Sequence, residues 1–421
     1  MKFAFISPRY GADIDAGPEH ACRLLAEQVS RRHDVDVLTT CARRGPVWRN
    51  DYAEGQDRVR GVRVRRFPVT PEDGAGLAAL RTHLVREPHS RDEELDWVRR
   101  SGPFSPGLVD HLKRQHKTFD VLVFFSLVHS TTVHGLEVAP ERSLLFPHVQ
   151  PDDVLRLGLW SDVLAAPRAL GFSSAAEPQL LRRYVLGDAR PHEVVGIGID
   201  PPPRQSYPRH QLDPADDMVS EDEPAVEEEP SPDESYLAAR GIPFRRRHRL
   251  YGPLALYGGR VEPDNGCEEM LDYFDTYAAQ DGDTSLVLMG VKMMRVPDER
   301  YLRQAGVLPD RERMVAYEAA DVTIVPSSDD LLAQSLLESF AVGTPTLTSA
   351  NNAAAVEHCR QGHAGLYYAN RDEFVDALRM LMTDTRMRER LGESGRRYVE
   401  EHHRWDAVLT RFDRLVAKVK R

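Results

Sequence analysis

Short apolar runs alternate along the chain with longer stretches whose apolar residues recur every three or four positions. The runs KFAFIS (2–7), DVDVLTT (34–40), VRVRRFPV (62–69), FDVLVFFSLV (119–128), RSLLFPHV (142–149), ALGFSS (169–174) and EVVGIGI (193–199) predict strands. The fully apolar ones suit a sheet covered on both faces. Between them, EHACRLLAEQVSRR (19–32) and EPQLLRRYVL (177–186) have helical spacing. The pattern stops at residue 201 and resumes near residue 253. From there PLALYGG, TSLVLMG, DVTIVPS, PTLTS and AGLYYAN read as strands. CEEMLDYFDTYAAQ, RERMVAYEAA, EFVDALRMLMT, RERLGESGRRYVEEH and RWDAVLTRFDRLVAK read as helices. The expectation is an α/β protein of two doubly wound Rossmann-like domains. Its expected parts are residues 1–200, a linker or insertion at 201–245, a second domain at 246–400 and a final helix at 401–421.

One stretch of the second domain combines burial with charge. VPSSDDLLAQSLLESFAVGTPTLTS runs from Val325 to Ser349 and reads as strand, loop and helix. Leu336, Leu337, Phe340 and Ala341 share one helix face, and Gly343 ends the helix. A helix start after a buried strand presents unpaired N–H groups to the crevice where α/β sheets bind ligands, and these favour an anion. Asp330 then lies in the loop and Glu338 about one turn into the helix, where carboxylates can accept sugar hydroxyls. The other reading makes Asp329 or Asp330 a helix cap and Glu338 a solvated side chain. In the loop after the domain's first strand, LYGGRVEPDNG, Arg260 follows the strand end and Gly266 precedes a helix. A fixed guanidinium there can stabilise a departing diphosphate. Two such domains face an interdomain cleft, the expected location of the chemistry.

The net charge of -11 has a local origin. Asp213 to Glu234 contain eleven acidic residues and no basic one, which equals the whole imbalance. With the remainder near neutral, no nucleic-acid footprint is expected. The acidic, proline-rich segment reads as a flexible spacer, with docking of a protein partner as its functional alternative. Cys22, Cys41, Cys267 and Cys359 are scattered without a zinc-type spacing, so reduced thiols and no metal are expected. The opening passes directly into a strand pattern and no apolar run reaches membrane length, which predicts a cytoplasmic protein.

Together, GGRVEPDNG and PSSDDLLAQSLLESFAVGTP resemble the donor motifs of the retaining glycosyltransferases of family four, which have the GT-B fold. ISPRYGADIDAGPEHACRLLAEQV resembles the glycine-rich first loop and helix of that family, with Gly11, Gly17 and Glu19 at corresponding positions. The resemblance implies transfer of a sugar, with retention, from a nucleotide-diphosphate sugar to a carbohydrate, lipid-linked or small-molecule acceptor. It implies no cofactor and no metal. It implies that Arg260 and Gly259 meet the diphosphate, Glu338 the ribose and Asp330 the donor sugar. The backbone of Leu331, Leu332, Ala333, Gln334 and Ser335 would cradle sugar and phosphate, Gly17 would approach them, and Val307 would hold the base. In the GT-B fold the last helix also packs back on the first domain. Three positions depart from the family pattern. Asn265 stands where a lysine is expected, and Lys292 in the next loop would supply that cation. Asp330 stands for a glutamate, and Gln150 for a cleft histidine, with His148 two residues earlier. These departures give the rival reading, a catalytically impaired relative that binds a nucleotide, a sugar or a partner.

Overall fold

The computed structural model describes residues 1–14, 17–45, 47–71, 74–185, 190–201 and 241–419. The acidic segment at 213–234 lies outside the described residues. The chain divides into two compact units. Unit 1 comprises Met1–Gly198, Asp329–Leu332 and His403–Arg421, and unit 2 comprises Ile199–Ser328 and Ala333–His402.

Unit 1 is built on eight strands: β1 (Lys2–Ser7), β2 (Asp34–Thr40), β3 (Gly55–Val59), β4 (Val62–Phe67), β5 (Val121–Phe125), β6 (Ser143–Phe146), β7 (Ala169–Phe172) and β8 (His192–Val194). Their order is β3-β4-β2-β1-β5-β6-β7-β8. All pairs are parallel except β3 with β4. That hairpin turns through Arg60 (φ 47) and Gly61 (φ 88), the left-handed pair that a tight two-residue turn requires. Strand order reverses between β1 and β5, which opens a crevice at their C-terminal ends.

Both faces of this sheet are covered, because successive side chains of β1 and β5 point to opposite layers. Ala4, Ile6, Leu122 and Phe124 enter one core. Phe3, Phe5, Val121, Val123 and Phe125 enter the other, together with Val408, Leu409, Phe412, Leu415 and Val416 of the Trp405–Ala417 helix. Phe412 lies 5.9 Å from Phe3 and 6.3 Å from Phe5, ring centre to ring centre. Burying one such ring contributes roughly 2–3 kcal/mol.

Unit 2 has six parallel strands: β9 (Leu254–Gly258), β10 (Ser285–Met289), β11 (Leu302–Gly306), β12 (Val322–Val325), β13 (Thr346–Ser349) and β14 (Gly365–Tyr368). Their order is β11-β10-β9-β12-β13-β14, so the switch point falls between β9 and β12. The Gln334–Ala341 helix buries Leu336, Leu337, Phe340 and Ala341, and Gly343 behind it adopts φ 78. The face and the stop expected from the sequence are both present. Among the described residues no helix is long and apolar enough to cross a membrane. Nor is any group of three or more His, Cys, Asp and Glu side chains among them arranged to hold a metal ion.

Candidate functional site

The switch point of unit 2 is formed by the loops that leave β9, β10 and β12. After β9 the chain passes Gly259 and Arg260 into a short turn, Pro263–Asn265, and then the Cys267–Gln280 helix. Arg260 is half exposed, and its Nε and Nη2 donate to Glu262 Oε1 at 3.0 and 2.5 Å. The Asn265 amide donates to the Arg260 carbonyl at 2.9 Å and to Glu262 Oε1 at 3.1 Å, and the Tyr257 hydroxyl reaches the same carbonyl at 2.8 Å. The residue that replaces the expected lysine therefore ties the Arg260 loop to itself. Lys292 lies in the next loop, whose backbone bridges to Val261. It is exposed and has no carboxylate within ion-pairing distance among the described residues.

Two glycines allow these loops to approach one another. Gly266 (φ 73) faces the Pro326 carbonyl, which a β-carbon would meet at 2.6 Å. Gly290 (φ 139) faces the Gly259 carbonyl, which a β-carbon would meet at 1.9 Å. Backbone strain and this contact act together at Gly290. We expect Gly290→Ala to lower the unfolding free energy by about 2 kcal/mol, read from the urea midpoint, and to displace the Arg260 loop. An unchanged midpoint would show that the two loops do not need this approach.

The Gln334–Ala341 helix begins at Ala333, a buried non-glycine residue at φ 46 with no side-chain cap. Its first N–H groups, those of Gln334 and Ser335 among them, thus have no capping side chain and suit an anion. Glu338 is 5 % exposed. Its Oε1 accepts from Arg313 Nη2 and from Gln334 Nε2, each at 2.8 Å, and its Oε2 accepts from Arg313 Nε at 3.0 Å. The solvated reading of Glu338 is therefore wrong, because a bidentate guanidinium holds the carboxylate in the interior. Arg313 belongs to the Asp310–Ala319 helix and also reaches Asp310 at 2.8 Å. Burial disfavours its charge, but the charge and hydrogen bonds of Glu338, with Asp310, outweigh this and hold Arg313 above its ordinary value. Val307 follows β11 and is largely exposed.

In unit 1 the corresponding crevice gathers residues from four strand ends. Gly17 (φ 71) opens the Gly17–Val29 helix, and Glu19 behind it is buried and accepts from Arg9 Nε at 2.8 Å. The Arg9 guanidinium lies 5.8 Å from the centre of the Trp48 ring, which meets His129 edge-on at 5.6 Å. His129 Nδ1 and Ser126 Oγ are 2.6 Å apart. His148, half-buried after β6, adopts the left-handed φ of 48. Its Nδ1 lies 3.2 Å from the Phe146 carbonyl and so carries the proton, which leaves Nε2 to accept from Ser173 Oγ at 2.9 Å. Desolvation draws the His148 imidazole down to about 4, against the Phe146 carbonyl and the charge of Glu19. The fully buried Glu177 accepts from the Ser173 amide at 3.0 Å. Desolvation raises its carboxyl to about 7, although the amides of Ser173, His148 and Val149 favour the charged form.

The expected residues thus fall into two groups. Gly259, Arg260, Lys292, Val307, Ala333, Gln334, Ser335 and Glu338 belong to unit 2, whereas Gly17, His148, Gln150, Asp330, Leu331 and Leu332 belong to unit 1. Within unit 1, Gln150 Nε2 donates to the Asp329 carbonyl at 3.0 Å, and Asp330 Oδ1 accepts from the Leu332 amide at 3.1 Å. Asp330 caps this loop and not the helix, whose cap position is Ala333. The sequence reading did not single out Arg9, Trp48, His129, Ser173 and Glu177 in unit 1, or Glu262 and Arg313 in unit 2. Arg9, two residues past β1, and Ser173, the residue after β7, carried a local signal of cleft position.

Two Rossmann-like units, each with a switch-point crevice, make up the GT-B fold. Residues 242–398 match the family model described as glycosyl transferases group 1. The chain is also similar over 121 residues, at 27% identity, to the D-inositol 3-phosphate glycosyltransferase of Corynebacterium aurimucosum. That match spans 28% of this chain and 28% of the relative. Among solved structures, sucrose-phosphate synthase from Thermosynechococcus elongatus aligns with a TM-score of 0.66 at 17% identity, covering 99% of this chain and 98% of the other. HepE of Anabaena, in complex with UDP and glucose, aligns with a TM-score of 0.65 at 13% identity, covering 100% and 99%. The chain therefore has the GT-B fold and resembles the glycosyltransferases that share it.

Proposed function

We propose that the protein is a retaining glycosyltransferase that moves a hexose from a nucleoside-diphosphate sugar to an acceptor bound by unit 1. The observation that carries this reading is the arrangement in unit 2. An uncapped helix start suits the diphosphate, Glu338 is fixed one turn further on by Arg313 and Gln334, and Arg260 stands at the adjacent strand end. Glu338 Oε2 accepts a single bond from Arg313 and keeps a lone pair for a ribose hydroxyl. Arg260, with Lys292 as a second cation, would stabilise charge as the bond between the anomeric carbon and the diphosphate oxygen breaks. The acceptor oxygen forms its new bond on the face the diphosphate leaves, and the diphosphate takes the acceptor proton. Asp330 would bind a donor-sugar hydroxyl, and Gly17 and His148 belong to the part that meets the sugar. No metal is needed for these roles. The UDP complex of HepE, which shares the fold, makes a uridine-diphosphate donor the first candidate.

The test is calorimetric titration of the full chain with UDP, GDP, ADP, CDP and TDP, followed by transfer assays with sugars of the nucleotide that binds. One nucleotide is expected to bind. Arg260→Ala is expected to slow transfer roughly 100-fold, about 3 kcal/mol of lost charge stabilisation. The anomeric configuration of the product, read by NMR, decides retention. If none of the five nucleotides binds, the reading fails.

A further inference from the structure

Unit 1 has a second concavity at the opposite end of its sheet. A groove of about 740 Å³ is lined by Lys2 of β1, Asp36 of β2, Arg58 of β3, Arg63 and Arg65 of β4, and His111 and Arg114 of the Pro106–Gln115 helix, among others. The parallel strand β1 starts here at Lys2 and ends at Ser7 in the crevice described above. Five residue steps separate the two places by about 16 Å.

The charges of this groove do not balance. Arg63 is held by Asp34 and Asp36, and Lys2 lies 3.7 Å from Asp36. Asp57 is engaged by Arg66, which is buried. Arg58, Arg65 and Arg114 remain, and none of the three has a carboxylate within ion-pairing distance among the described residues. They are exposed, and the pleat of β4 turns Arg65 outward while Val64 faces the core. His111 is packed against Phe67 at 5.1 Å between ring centres. Burial depresses its imidazole, the positive charges of Arg65 and Arg114 depress it further, and Asp36 opposes them. Both guanidiniums therefore act on one imidazole at the groove wall. Gln56, Gln115 and Thr118 add neutral hydrogen-bonding groups to the lining.

We infer that this groove is a second ligand site, for a molecule bearing phosphate groups, separate from the crevice at the C-terminal strand ends. Guanidiniums match phosphate oxygens with paired N–H donors, and a concave surface whose unpaired charges are positive concentrates anions. An anion seated between Arg65 and Arg114 offsets their mutual repulsion and restores the proton affinity of His111. The inference does not depend on the proposed transferase activity.

The experiment follows the His111 imidazole by NMR in the full-length protein, with its resonance assigned from His111→Gln. Sodium tripolyphosphate is the soluble probe, and vesicles of phosphatidylglycerol in phosphatidylcholine present the same chemistry on a surface. Saturating tripolyphosphate is expected to raise the His111 midpoint by about one pH unit. The Arg65→Glu/Arg114→Glu variant, altered only at exposed positions, is expected to weaken that binding at least tenfold. Arg260→Ala, which changes the donor half, is expected to keep the response. A response to vesicles without one to tripolyphosphate would support the groove and identify the source as a lipid headgroup. An unmoved His111 midpoint with both probes overturns the inference, and so does an equal response in the double variant.

Discussion

Glu338→Ala is expected to abolish nucleoside-diphosphate binding and to lower the unfolding free energy by about 3 kcal/mol. The carboxylate is nearly inaccessible and accepts three hydrogen bonds, two of them from one guanidinium. Its truncation leaves Arg313, whose side chain is only 28% exposed, with Asp310 as its remaining acidic partner. Lost stability alone would not distinguish a structural ion pair from a ligand site. The Arg313→Met/Glu338→Met pair does so, because replacing both members of a buried pair with apolar groups is often neutral or stabilising. The double variant should recover the urea midpoint of the wild type and still bind no nucleotide. A double variant that folds and binds with wild-type affinity would remove Glu338 from the donor site.

Glu177→Gln is expected to make the protein more stable at pH 8 by about 3 kcal/mol and to leave it unchanged at pH 4. The carboxyl is 1% exposed and moves from an ordinary 4.5 to about 7, a difference worth about 3 kcal/mol. The sign follows from proton counting. Below about pH 4.5 the group is protonated in both folded and unfolded chains. As pH rises from there towards 7, the unfolded chain releases the proton first, so the folded state loses stability across that window. Glutamine keeps an acceptor for the Ser173 amide without the buried charge. His148 acts in the opposite sense, because its depressed value costs stability as pH falls from 6.5 to about 4. Comparison of the two proteins at each pH cancels that contribution. A difference that does not vary with pH would place the destabilising charge elsewhere.

Several features were legible because one residue pattern dictates them. Strands such as VLVFF are apolar at every position, as a doubly covered parallel strand must be, and the helix after β12 shows its buried face and its glycine stop. Features at the sheet margins were not. β3 reads GQDRV and β11 reads LRQAG, mostly polar sequences without an apolar run, each at an edge of its sheet. The Arg60–Gly61 turn was the available signal for the first of them. Within the candidate site, the sequence offered Glu338 but not Arg313, because the partners are 25 residues apart on different helices and neither has a distinctive neighbour. Asn265 read as a lost cation. Its bonds to Arg260 and Glu262 exist only once the loop has folded back.

The Trp405–Ala417 helix lies in the same core as the first strand of the chain. Phe3 and Phe5 are synthesised long before Phe412, against which they pack. At 5–20 residues per second the interval is roughly 20–80 s. During that time only the Gly17–Val29 helix, through Cys22, Leu25, Ala26 and Val29, is available to cover this face of the nascent sheet, and the described strands and helices of unit 2 are made within it. Folding during synthesis is therefore out of sequence order, with the later unit able to close before the earlier one. Until the Trp405–Ala417 helix has been made, the part of the β1 face that it covers stays open.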